Sequence, residues 1–129
     1  MNKIIVEVSI GELLDKISIL EIKQEKIKDP EKLKFISEEK SILKEQFNKN
    51  VKNDEKIEKL FQSLKMINSK LWIIEDNKRL CEKDKDFGEK FIKLSRDVHF
   101  LNDDRAKIKL EINNYTRSEI KEIKEYTSY

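Results

Sequence analysis

Only four of the 28 basic residues are arginines, and two of them, Arg79 and Arg105, lie where acids and amides interrupt otherwise regular helical patterns. A guanidinium is a planar fork that grips carboxylate or phosphate through two parallel hydrogen bonds, whereas lysine is a compact hydrated charge. In a lysine-dominated chain, these arginines are the candidates for a geometric task. Around residues 71–79 (LWIIEDNKR), Asn68, Trp72, Glu75 and Arg79 step by four, three and four, so an aromatic, an acid and a base share one helical stripe. Within residues 96–114 (RDVHFLNDDRAKIKLEINN), Asn102, Arg105, Lys109 and Asn113 line up in the same way. Earlier in the chain, Glu12, Lys16 and Lys23 share a face.

Converging stripes of this kind fit a ligand site in which Arg79 and Arg105 anchor an anionic group. Glu75, Trp72, Asn102, Lys109, Asn113, Lys16 and Lys23 complete the candidate binding set. The competing expectation is structural: Arg79 or Arg105 closes on Glu75, Asp76 or Asp103 in a buried pair that sets helix register.

Other chemistries find less support. Asp97, His99, Asp103 and Asp104 are close in sequence, but positions 97 and 99 point to different helix faces, and there is no H-x-x-x-H or E-x-x-H pair. No metal and no cofactor are expected. Gly11 and Gly88 stand alone at helix starts, so there is no glycine-rich phosphate loop. The ladder Glu119, Glu122, Glu125 reads as a solvated face, and no catalytic nucleophile can be assigned.

The elements that must position these residues follow from composition and period. Two Gly and one Pro in 129 residues disfavour turn-rich sheet folds and favour long helices. Ser9 and Glu12 form a capping box opening helix 1, with Val8 and Leu13 as its staple, and Ile10, Leu13, Ile17, Leu20, Gln24 and Ile27 as its seam. Asp29-Pro30 separates it from helix 2, read from Leu33 through Ile36, Lys40, Leu43 and Phe47 to Val51. Helix 3 holds the seam Ile57, Leu60, Leu64, Ile67, Leu71, Ile74, Lys78, Cys81. Asp86 and Glu89 suggest a second capping box for helix 4, which runs from Phe87 to Tyr115 with Arg105 at a position where the period asks for an apolar residue. A break at residues 116–118 precedes a short terminal helix that Ser118 can cap and that ends near Tyr126, and residues 4–8, β-branched apart from Glu7, form a short strand or extended arm. The expected fold is all-α: one domain over residues 1–129, an antiparallel bundle of four main helices built as two helical hairpins, with an N-terminal extended arm and a short C-terminal helix.

Charged residues make up 42% of the chain but nearly cancel to +2, with signs interleaved as on solvated helix faces, so no nucleic-acid partner is expected. The single Cys81 on a helix seam reads as a buried inert thiol in a reducing compartment. No apolar run approaches the ~20 residues that a membrane span needs, and the first residues lack a signal pattern, so a cytoplasmic protein without membrane contact is expected.

The segments VSIGELLDKISILEIKQEKI (8–27), LWIIEDNKR (71–79) and FIKLSRDVHFLNDDRAKIKLEIN (91–113), with EIKEYTSY after them, resemble a family of small uncharacterised bacterial and phage proteins. The motifs G-E-L-x-D-K, L-W-x-I-E-D and N-D-x-R-A-x-x-K-x-E-I-N occur here in that order. The resemblance implies a setting near glycosyltransferases and surface-polysaccharide pathways, by association only, and no catalytic role. It falls on Glu12, Asp15, Lys16, Glu21, Lys23, Glu75, Asp76, Arg79, Arg96, Asn102, Asp103, Arg105, Lys109 and Asn113, which are nearly the residues that spacing selects.

Three functions follow from these residues. The first is an accessory protein binding a small anionic ligand or an acidic partner segment. The second is a small enzyme acting on an anionic metabolite by electrostatic preorganisation, as all-helical chorismate mutases do. The third is a structural module with a buried ion-pair network, forming a homodimer through Trp72, Phe61 and the arm.

Overall fold

The computed structural model describes residues 2–129 and contains four helices: α1 (Ile10–Lys26), α2 (Pro30–Asn50), α3 (Glu55–Asp84) and α4 (Glu89–Tyr115). The expected all-α fold of two antiparallel hairpins is what forms. Local chemistry places most of the ends. Ser9 Oγ accepts from the Glu12 N–H at 3.0 Å, Asp29 caps α2 with Pro30 in its first turn, and Asp54 Oδ1 accepts from the Ile57 N–H at 2.9 Å.

The expected boxes are incomplete, because their acids are drawn elsewhere. Glu12 turns away from the Ser9 backbone toward Lys109. Asp86 does not cap α4; its carboxylate accepts from the Gly88 N–H at 3.1 Å, and the helix begins two residues later than expected, at Glu89, with Phe87 outside it. Lys85 closes α3 in the left-handed conformation.

Helix α1 is the hub of the bundle, packing against each of the other three, while the α2 backbone approaches only α1. The core sits where α1 meets the end of α2, the start of α3 and the end of α4: Leu14, Ile17, Phe47, Ile57, Phe61, Leu64 and Ile112 are all buried there. Burying side chains of this size contributes roughly 1.5–3 kcal/mol each, which holds α1 in place. Phe61 is thereby consumed by the core and is not available for a dimer contact. At ~1.5 Å rise per residue, α1 spans about 25 Å and α3 about 45 Å, so the far end of the α3–α4 hairpin extends past its support. Ile73, Leu80, Phe87 and Ile92 are half-exposed there, although Cys81 is buried as expected.

Both terminal segments are non-helical. Residues 2–8 form neither helix nor strand and are exposed, where a short strand or extended arm was expected. The expected C-terminal helix is absent: after Arg117, in the left-handed region at φ 55°, residues 119–129 run back along α4 as irregular chain. Ser118 is spent on tertiary contacts instead of a helix cap. Its hydroxyl accepts from the Ile10 N–H at 3.2 Å and donates to the Ile120 carbonyl at 2.8 Å. Further on, the Tyr129 hydroxyl donates to Asp103, and its ring packs edge-on against His99 and Phe100.

Candidate functional site

Between α1, α3 and α4 lies an open pocket of about 390 Å³. Ile19 and Ile22 of α1 and Leu71 of α3 supply apolar wall; Asn68, Trp72, Glu75, Asp76 and Arg79 of α3 and Arg105 of α4 supply the rest. Four of the expected site residues, Trp72, Glu75, Arg79 and Arg105, thus meet around one space. Three helices meet here, and Ile22, 1% exposed, is the most buried residue of its wall.

Arg105 is half-buried and held by one hydrogen bond, from Nη1 to Asn68 Oδ1 at 3.3 Å. That acceptor is itself fixed. Asn68 Nδ2 donates to Asp15 Oδ1 at 2.7 Å and to Ser18 Oγ at 2.8 Å, while Ser18 donates to the Asp15 carbonyl at 2.8 Å. With its amide nitrogen committed to α1, Asn68 has only its oxygen to offer Arg105.

Among the described residues, neither guanidinium has a carboxylate oxygen within 4.0 Å. Glu75 precedes Arg79 by four residues, the better order for a helical ion pair, yet no pair forms. The expected structural pairing of Arg79 or Arg105 with Glu75, Asp76 or Asp103 is therefore corrected; Asp103 is engaged by Tyr129 instead.

Lys109 and Asn113 are not in this pocket. They face the first turn of α1, where Lys109, 4% exposed, places Nζ 2.5 Å from Glu12 Oε2, 3.9 Å from Asp15 Oδ2 and 3.4 Å from Glu122. Asn113 Oδ1 accepts from the Gly11 N–H at 2.7 Å. Glu122, expected on a solvated ladder, instead pins the returning C-terminal segment to Lys109 and pairs with Lys124 at 3.4 Å. Asp15 joins the two regions, touching Lys109 on one side and Asn68 on the other. Lys16 pairs with Glu12 at 3.7 Å and is exposed, Lys23 sits in the last turn of α1, and neither Lys23 nor Asn102 lines the pocket.

Burial alone would push the Lys109 ammonium down, but its hydrogen bond to Glu12 and the charges of Asp15, Glu12 and Glu122 outweigh this and hold its pKa above that of an ordinary lysine. Burial raises and Lys109 lowers the Glu122 carboxyl, with the lysine, helped by Lys124, prevailing. The linkage has two sides. A raised lysine contributes stability fully present below about pH 10.5 and lost as pH climbs through its folded value; a lowered glutamate contributes stability present above about pH 4.5 and lost as pH falls through its folded value. Unfolding followed by circular dichroism is expected to show a plateau between these limits and loss above the upper one. In Lys109→Met the alkaline loss should shrink, and an unchanged alkaline limb would show that Lys109 does not carry it.

The sequence pattern of the family of unknown function DUF6165 matches residues 4–129 of the chain. The chain belongs to the DUF6165 family. No curated protein and no solved structure matches it. In this DUF6165 chain, spacing alone misses Ile19 and Ile22 as pocket walls, because both lie off the seam read for α1. Their signal is the spread of apolar residues Leu14, Ile19 and Ile22 to other faces, which a helix with three neighbours requires. Asp15 and Ser18 give a weaker signal as small polar residues one turn apart among apolar ones.

Proposed function

We propose that this DUF6165 member is a binding protein whose α1–α3–α4 pocket takes a small anionic ligand. The observation carrying this reading is that Arg79 and Arg105 line one pocket with Trp72, and neither spends its guanidinium on a carboxylate. Arg105 is presented in a set orientation by Asn68, so little side-chain freedom remains to be lost on binding. Trp72, half-buried, lines the same space and supplies aromatic surface for the body of the ligand. Sugar nucleotides and sugar phosphates deserve a place in the test, given the resemblance to chains from surface-polysaccharide settings.

Thermal unfolding with millimolar phosphates, sugar nucleotides and dicarboxylates tests the proposal. A ligand at 100 times its Kd stabilises the fold by about 2.7 kcal/mol, readily seen as a rise in Tm. Arg105→Met and Arg79→Met should abolish that rise; Arg79→Met should keep stability within roughly 1 kcal/mol of the parent, whereas Arg105→Met leaves Asn68 Oδ1 without its donor and should cost about 1–3 kcal/mol. If no compound bearing an anionic group, zwitterions included, stabilises the fold, or if the variants keep the response, the proposal falls.

The Lys109 cluster favours the structural reading for its own end of the molecule: its cation is already neutralised by Glu12, Asp15 and Glu122. It locks α1, α4 and the C-terminal segment together. An added anion would find no free charge there.

A further inference from the structure

We infer that the ligand of this pocket is a small zwitterion, an anionic group and an ammonium joined by an apolar or aromatic body, and not a plain anion. This deepens the reading of the pocket as an anion site and rests on it. Glu75 and Asp76 line the same space as Arg79 and Arg105, so the walls carry two positive and two negative side chains with no salt bridge joining them. A phosphate or dicarboxylate would gain from the arginines but lose to the two carboxylates, and a second negative charge would enlarge that loss. A ligand bearing both signs turns the same four charges into complementary partners. The anionic group meets Arg105, already oriented by Asn68 at 3.3 Å, and Arg79; the ammonium meets Glu75 and Asp76.

The rest of the wall agrees with this division. Ile19, Ile22 and Leu71 offer nothing to hydrogen-bond, which suits a hydrocarbon body, and Trp72 can cover either an aromatic ring or the ammonium itself. At about 390 Å³ the space is at the small end of ligand cavities, of the order of a free amino acid and its solvation shell.

The test is calorimetry on the full chain with ligands that differ by one charge. L-phenylalanine carries both groups, 3-phenylpropanoate only the acid and phenethylamine only the amine. Leucine and O-phosphoethanolamine extend the set to an aliphatic body and to a phosphate as the anionic end. At least one zwitterion is expected to bind tenfold or more tightly than its single-charge analogues. The Glu75→Gln, Asp76→Asn double variant should lose that preference while binding 3-phenylpropanoate as well as or better than the parent, a reversal that a merely structural role would not produce. If an anion such as 3-phenylpropanoate, phosphate or a dicarboxylate binds and no zwitterion outbinds its analogues, the inference falls and the anion site stands. When nothing in either set binds, both fall.

Discussion

Lys109→Met is expected to destabilise the protein by about 3–5 kcal/mol, the scale for removing one partner of a buried ionic group. Methionine nearly reproduces the length of the lysine stem, so the loss will not come from a cavity. It will come from carboxylates left without their cation. Glu12 keeps Lys16 at 3.7 Å and Glu122 keeps Lys124, but Asp15 is 4% exposed and retains only the hydrogen bond from Asn68. Adding Asp15→Asn to Lys109→Met should therefore recover part of the loss, making the pair non-additive. Urea unfolding of Lys109→Met, Asp15→Asn and the double variant measures this, and a loss below 1 kcal/mol in Lys109→Met would show that the cluster is not a lock.

Gly11→Ala should be nearly as severe, although alanine is the better helix former by up to ~1 kcal/mol. A Cβ at Gly11 would sit 2.6 Å from the Lys109 carbonyl oxygen and 2.9 Å from Asn113 Oδ1. The first is backbone inside α4 and cannot rotate away. The helices must separate, stretching the 2.7 Å bond from Gly11 N–H to Asn113 and drawing Glu12 off Lys109. Overpacking of this kind costs about 1–3 kcal/mol before the polar losses, so the propensity gain is outweighed and a net loss of roughly 3 kcal/mol is expected. Thermal unfolding decides it; a variant as stable as the parent would mean that α1 docks on α4 with slack. Because both substitutions strike one cluster, their effects should not add.

How much of this was legible beforehand depends on the range of the interaction. The seams of α1, α3 and α4 and the stops at Asp29-Pro30 are contained in spacings of three and four residues and in caps that act within one turn. The stripe Trp72, Glu75, Arg79 was legible for the same reason. Reach across helices was not. Glu12 and Asp86 have the spacing of box residues, but tertiary partners or a tight turn claim their carboxylates. Ser118 could cap a helix, yet the Ile10 N–H takes its hydroxyl, and residues 119–129 run as a strap where a short helix ending near Tyr126 was expected.

The sequence by itself determined that this chain would be long helices in antiparallel hairpins, and that its unusual arginines would sit on faces bordering the core. These are consequences of local propensity, capping and amphipathic period. Only the tertiary structure decided how the polar stripes divide. Lys109 and Asn113 went to a closed lock on α1 and the C-terminal segment, while Trp72, Glu75, Arg79 and Arg105 went to an open pocket. The reason is geometric: α1 packs against both α3 and α4, so Lys109 and Asn113 Oδ1 find their partners on α1, about a hundred residues away in sequence.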